Sequence, residues 1–266
     1  MAPVSATAGA DLARRFSGVG RLYGAEPAQR IASAHVVVVG IGGVGSWTVE
    51  ALARSGVGRL TLIDMDHVAE SNINRQIHAL DDTLGMAKAE AMRARIAQIN
   101  PVCDVRVIDD FVTAENWPAL LGTDAVLPSA VVDACDQVKA KTAMAAWAMR
   151  MRVPFVSVGA AGGKRLAHAV DVADLAEVTH DPLLAQLRYR LRRQHGAARA
   201  GRIGVHCVFS REAVQPAAAA ACGTEGSDHS LNCHGYGSAV TVTATFGLCA
   251  AGWVMNRLAQ ATRNAV

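Results

Sequence analysis

The sequence predicts an α/β protein with a mostly parallel sheet, a nucleotide site at the C-terminal ends of its strands, and a smaller C-terminal extension. Three observations predict it. Val36, Val37, Val38 and Val39 run without polar alternation, as suits a strand buried on both faces. Gly40, Gly42, Gly43 and Gly45 follow at once, and a helix-compatible run over 46–54 follows them. A second strand over 60–63 ends in Asp64, about twenty residues on, where a carboxylate takes a ribose hydroxyl. Strand, glycine turn and helix form a Rossmann-like anion site. Backbone N–H groups approach a phosphate where Cβ atoms are missing, and the helix N-terminus adds partial positive charge. The glycine spacing alone equally fits a dinucleotide.

Length and composition bound the rest. With 266 residues, 51% of them hydrophobic, the chain can bury a large core. A net charge of +3 permits a polyanionic partner without requiring one. Cysteines 103, 135, 207, 222, 233 and 249 form no CxxC pair, which argues against a tetracysteine zinc site and for a reducing, cytoplasmic setting. Residues 1–10 are small and polar, unlike a secretory signal.

Taken in order, residues 11–30 read as a first helix and turn carrying Arg14, Arg15 and Arg21. After Asp64 comes a polar run, Glu70-Ser71-Asn72-Ile73-Asn74-Arg75-Gln76, just past a strand end. Arginine offers planar, bidentate donors, so such a cluster suits a triphosphate better than NAD. Lys88 opens a helix over 88–99, where a cation works against the helix dipole and hints at a bound anion. Residues 104–108 alternate as a third strand, and 111–121 read as a connection with a helix. The strand over 130–136 leads to Asp133 and Asp136, which read as a Mg²⁺ ligand and a cap for the helix over 138–150. A fifth strand over 154–159 enters a second glycine-rich turn, Gly159-Ala160-Ala161-Gly162-Gly163-Lys164.

Beyond Lys164 the pattern changes. Strands are expected over 169–172 and 205–209, a helix over 183–195, a crossover loop over 214–231, and an apolar helix over 240–258. The chain divides into a nucleotide-binding unit, 11–164, and an extension, 165–266, packed on the same body. The run 238–255 nears the length of a membrane span. Its threonines and glycines, and the lack of an aromatic belt, favour a helix buried in the fold or an interface, so no stable membrane insertion is expected. Six arginines fall from Arg188 to Arg202, and no acid lies between Asp181 and Glu212; Arg188, Arg190, Arg192 and Arg193 are candidates for an RNA backbone. Cys233, beside His234, is read as an incidental thiol rather than a nucleophile.

Several stretches together resemble a known superfamily. Gly40-Ile41-Gly42-Gly43-Val44-Gly45, Ile63-Asp64-Met65-Asp66, Ser71-Asn72-Ile73-Asn74-Arg75-Gln76, Lys88 and Asp136 are similar to the adenylating domain of the ubiquitin-activating enzymes and their thiamine and molybdopterin relatives. Arg21-Leu22-Tyr23-Gly24, Asn74-Arg75-Gln76-Ile77-His78-Ala79-Leu80, Asp110-Phe111-Val112-Thr113, Gly159-Ala160-Ala161-Gly162-Gly163, Cys207-Val208-Phe209-Ser210 and Thr241-Val242-Thr243-Ala244-Thr245-Phe246-Gly247 resemble the tRNA threonylcarbamoyladenosine dehydratase family within it. The resemblance implies an enzyme using ATP and Mg²⁺. It would adenylate the threonyl carboxylate of the modified adenosine beside a tRNA anticodon, and AMP would leave as the side chain closes on itself.

By matching position, Gly40, Gly42, Gly43, Gly45, Asp64, Asp66, Asn72, Arg75, Gln76 and Lys88 would hold the nucleotide. Arg75, Lys88 and Asp136 would carry the chemistry, with Asp136 on the metal. The resemblance also implies a homodimer, with an arginine, Arg15 or Arg21, reaching the neighbouring site. Sulfur-transfer proteins stand as further candidate partners. The chain departs from its relatives at Gln137, where many carry Asn. The alternatives are an adenylyltransferase for a sulfur-carrier C-terminus, an NAD-dependent oxidoreductase, and a non-catalytic module on this fold. Missing CxxC ligands oppose the first, the Asn72, Arg75 and Lys88 set opposes the second, and its intactness opposes the third.

Overall fold

The computed structural model describes residues 10–122, 126–215 and 236–260. Two short helices, α1 (Leu12–Tyr23) and α2 (Ala25–Ser33), meet at Gly24, whose φ of 95° turns the chain between them. The first strand, β1 (His35–Val39), is the four-valine run. Its side chains divide as the absent alternation requires: Val36 and Val38 enter one core, Val37 and Val39 the other. A strand buried on both faces belongs at a sheet centre. There β1 pairs in parallel with β2 (Arg59–Ile63) and β4 (Ala130–Asp133).

The remaining strands are β3 (Asp104–Ile108), β5 (Phe155–Val158), β6 (Val170–Asp174) and β7 (His206–Ser210). They complete one seven-stranded sheet in the order β3-β2-β1-β4-β5-β7-β6, antiparallel only between β6 and β7. The order reverses between β1 and β4. This is the switch point where open α/β sheets leave a crevice outside the strand ends. The strands from beyond Lys164 extend the same sheet.

One face is covered by α3 (Gly45–Arg54), α4 (Lys88–Ile99) and α7 (Val240–Gln260), the other by α5 (Val138–Met151) and α6 (Pro182–Gln194). The apolar C-terminal run is α7, which sets Val242, Phe246, Ala250 and Val254 against the sheet and α3. No helix among the described residues is long and apolar enough to cross a membrane. Two local expectations are corrected. The 111–121 connection holds a single 3₁₀ turn, Ala119–Leu121, because Thr113 and Asn116 bond locally and divert the backbone from a helix. Neither carboxylate after β4 is the cap of α5. The cap residue is Gln137, which makes no side-chain capping bond. Cys222, Cys233 and most of the crossover stretch lie outside the described residues.

Candidate active site

The site is built on the turn from β1 into α3. Gly40 takes φ 84°, and a Cβ there would stand 2.8 Å from the Ala134 carbonyl oxygen at the end of β4. A Cβ on Gly45 would collide with the Gly40 carbonyl. The two glycines let three backbone segments converge at the switch point, and no side chain caps the N-terminus of α3. That terminus therefore leaves backbone amides and the helix dipole to offer to an anion.

At the end of β2, Asp64 is buried and ties this turn to the next one. Its Oδ2 accepts from the Ile41 amide at 2.5 Å, and its Oδ1 from the Asp66 amide at 2.8 Å. Burial pushes its carboxyl above the usual range, against the pull of Lys88 and of the two amides. Lone pairs remain on both oxygens, so a ribose hydroxyl can still donate to them. Asp66 also explains Lys88 in the first turn of α4. The ammonium is buried and sits 2.7 Å from Asp66 Oδ2, which offsets the dipole and excludes a solvated surface lysine.

The polar run after β2 folds back over the glycine turn. Asn72 Oδ1 accepts from the Ala69 amide at 3.1 Å, fixing a tight turn. Arg75 Nη1 donates to the Ser71 carbonyl and to Asn74 Oδ1 at 2.6 and 3.0 Å. Its aliphatic stem lies 3.4 Å from where a Gly43 Cβ would stand, and the Gln76 amide nitrogen stands 4.0 Å from the same point on Gly42. Burial holds the Arg75 guanidinium below its ordinary pKa. The carbonyl of Arg75 is held from two helices, by Trp47 Nε1 at 3.0 Å and by Thr243 Oγ1 at 3.3 Å. Ser46 Oγ and Gln76 Oε1 are buried without a hydrogen-bond partner. Such atoms at a dipole-bearing turn mark where a polar ligand fits. Asp136 is half-buried on the turn between β4 and α5, beside the Ala134 backbone that Gly40 touches.

Below this surface lies a cluster that the sequence reading missed. Lys141 and Asp133 form a fully buried pair at 3.1 Å. Lys141 Nζ also donates to Ser157 Oγ and the Val158 carbonyl, and Ser157 donates to Asp133 Oδ2. The cluster joins the ends of β4 and β5 under the site. A signal for it existed: Lys141, Met144, Ala145 and Ala148 share the apolar stripe of α5, and a lysine in such a stripe needs a buried partner. Asp181, which caps α6, reaches back to the Ala160 amide at 2.9 Å and orders the second glycine turn.

The arginines are dispersed. Arg15 donates to the Gln98 and Ile99 carbonyls at the end of α4, whereas the Arg21 side chain is exposed. On α6, Arg188 donates to the Leu175 and Val178 carbonyls and Arg192 to that of Ala198. Arg193 stacks on Tyr189 with 5.9 Å to the ring centroid, and Arg190 is half-buried. These side chains lie along a thirteen-residue helix about 20 Å long, whose cap Asp181 bonds the second glycine turn.

Fold and site together define an open α/β protein that gathers a glycine turn, a buried carboxylate, an arginine and a lysine at the C-terminal ends of its central strands. Comparison with known proteins narrows this class. The chain matches the ThiF family over residues 17–266. It is 47% identical over 253 residues to the tRNA threonylcarbamoyladenosine dehydratase of Escherichia coli (strain K12), spanning 92% of this chain and 93% of that relative. The crystal structure of the E. coli tRNA N6-threonylcarbamoyladenosine dehydratase in complex with ATP superposes with a TM-score of 0.83. It is 46% identical, and the match spans 94% of this chain and 96% of that one. A molybdopterin-synthase adenylyltransferase of Salmonella typhimurium is 34% identical over 50% of this chain and 51% of its own length. The chain belongs to the ThiF family and, within it, to the tRNA threonylcarbamoyladenosine dehydratases.

Proposed function

We propose that this protein binds ATP and adenylates the carboxylate of threonylcarbamoyladenosine beside the anticodon of a tRNA, after which the side chain closes on itself. The convergence of Arg75 and Gln76 on Gly42 and Gly43, with Asp64 and Lys88 adjoining, carries this reading. A carboxylate oxygen attacks the α-phosphorus, the bond to the bridging oxygen breaks, and pyrophosphate leaves. A nucleophile of the same side chain then displaces AMP from the mixed anhydride and loses a proton, for a net loss of water. Two anionic reactants must meet, so Arg75, Lys88 and the α3 N-terminus lower their repulsion and offset the charge developing on pyrophosphate. Asp64 orients the ribose. Asn72 and Gln76 complete the phosphate contacts.

Asp136 offers a hard carboxylate oxygen suited to Mg²⁺. Among the described residues no group of three or more His, Cys, Asp or Glu could hold a metal. A single carboxylate suits an ion that takes its other ligands from water and phosphate, as Mg²⁺ does, and such an ion would neutralise phosphate charge. A homodimer accords with α1, which buries no residue and exposes Leu22 at 77%. With Arg15 engaged inside its own chain, Arg21 is the arginine assigned to reach a neighbouring site. For the RNA backbone, Arg190 and Arg193 have the fewest internal duties. The test is AMP and pyrophosphate release with tRNA that carries threonylcarbamoyladenosine, compared with tRNA that lacks it. Release that depends on the modification is expected. Release driven instead by a carrier protein with a Gly-Gly tail would overturn the reading.

A further inference from the structure

At the edge of the sheet opposite the glycine turn, where β5 and β7 begin, lies a second recess. It is a cavity of about 260 Å³ between the end of α5, those two strands and the last turns of α7. Arg152, His206, Trp253 and Arg257 give it its chemistry, and among the described residues no carboxylate lines it. The His206 and Trp253 rings lie 5.1 Å apart, tilted by 42°. Arg257 stands 5.3 Å from the Trp253 ring centroid, and its Nη2 is 3.2 Å from His206 Nε2. A guanidinium only donates, so Nε2 accepts, the proton sits on Nδ1, and the imidazole is neutral. Burial, then Arg257 and Arg202, holds the His206 pKa below its ordinary value, in accord with that tautomer. The positive charge at the cavity is therefore that of Arg152 and Arg257.

The nearest acid does not cancel it. Asp174 is buried at the end of β6. It accepts from the amides of Ala176, Ile203 and Gly204 at 2.9, 2.8 and 2.7 Å, which folds the 199–204 connection. Arg202 is 3.9 Å from its Oδ2. Arg192, bonded to the Ala198 carbonyl, and Arg193 close α6 at the start of that connection. The edge thus combines guanidinium groups with an aromatic face and a recess smaller than the roughly 300–1,000 Å³ of a small-molecule site. Unpaired RNA bases stack on aromatic rings and arginine planes while guanidinium groups take the phosphates. An acidic peptide would match the charge but not the stacked ring.

We propose that this recess takes one unpaired nucleotide of an RNA, its base against Trp253 and Arg257 and its phosphate at Arg152 and Arg257. This rests on the reading that the substrate is an RNA, and it adds where a part remote from the reacting adenosine is gripped. The separation is at least a strand length, about 16 Å for five residues at ~3.3 Å each.

The test measures binding of a tRNA transcript across a salt series, with ATP binding by calorimetry as the check on folding. Trp253→Ala should weaken RNA binding roughly tenfold, from the loss of one base stack, and Trp253→Phe should recover most of it. Replacing Arg152 and Arg257 together by Gln should lower the log–log salt slope by about 1.4, at ~0.7 per single-strand contact. ATP affinity should stay that of the parent. RNA affinity and slope unchanged in both variants would overturn the proposal, as would poly-glutamate displacing the RNA as well, charge for charge. A parent protein that binds RNA through Trp253 yet leaves threonylcarbamoyladenosine unconverted would support the pocket and overturn the assigned reaction instead.

Discussion

Arg75 is held at its backbone, where Trp47 and Thr243 donate to its carbonyl, while its aliphatic stem lies against Gly43. If it clamps the phosphates, Arg75→Ala should lower kcat/KM for ATP by about 10²–10³-fold. Arg75→Lys should restore little, since a point charge lacks the planar fork. Steady-state kinetics on folded protein decides it, and near-parental turnover in Arg75→Ala would contradict the assignment. Lys141 acts beneath the site. Burial alone would push its pKa down, but Asp133 outweighs this and holds the ammonium above its usual value. Lys141→Met leaves the Asp133 carboxylate alone in a dry interior and should cost about 3–5 kcal/mol. Adding Asp133→Leu should recover part of that loss in denaturant unfolding. A single variant as stable as the parent would show that the pair carries no such weight.

The contact between α3 and α7 is set by one glycine. A Cβ on Gly247 would stand 2.5 Å from the Val44 carbonyl oxygen and 2.7 Å from Trp47 Cβ, and the Gly247 carbonyl accepts from Thr48 Oγ1 at 3.1 Å. Gly247→Ala should therefore destabilise the fold by about 1–3 kcal/mol through overpacking. It should also weaken ATP binding, because Trp47 and Thr243, which steady Arg75, flank this contact. A Cβ on Gly252, in the same helix, would meet nothing within 4 Å. Gly252→Ala should be neutral or stabilising by up to ~1 kcal/mol from helix propensity. Thermal melts of both variants beside calorimetry with ATP check the pair of expectations, and equal effects at the two positions would contradict the packing argument.

Elements of this kind were legible where local pattern decides them. The valine run and the glycines announced β1 and its turn because burial on both faces and close backbone approach each demand one residue type. The 3₁₀ turn at Ala119–Leu121 was not legible, since the side-chain bonds of Thr113 and Asn116 compete with a helix at the same apolar periodicity. Asp64, Asn72, Arg75, Gln76 and Lys88 could be singled out in the sequence as polar residues that follow a buried strand. Asp66 as the partner of Lys88, and Lys141 with Asp133, needed the fold, because each pairs residues from different elements.

Over the whole molecule, stability should depend on pH through a buried histidine. His78 is 2% exposed, and neither ring nitrogen has a partner. Burial, then Lys88 and Arg95, lowers its pKa from 6.5 to about 4. The folded state thus resists a proton that the unfolded chain accepts. Between those values the unfolded state binds more protons, so stability rises with pH across that window and is lost as pH falls through it. The shift corresponds to roughly 3 kcal/mol at most. His78→Phe should flatten Tm against pH between 6.5 and 4. An unchanged acid limb would mean that other groups set it. The position of β6 and β7 in the one sheet belongs to this scale too. It rests on pairing between distant segments, which no local periodicity reports.

If the threonyl carboxylate itself is adenylated, one of its oxygens must leave with AMP. The direct measurement uses tRNA whose threonylcarbamoyladenosine carries heavy oxygen in that carboxylate, incubated with the protein and ATP. Mass spectrometry of the released nucleotide should find one heavy oxygen in AMP and the modified nucleoside lighter by one labelled water. Heavy oxygen recovered in inorganic phosphate, or AMP released without label, would contradict adenylation of that carboxylate.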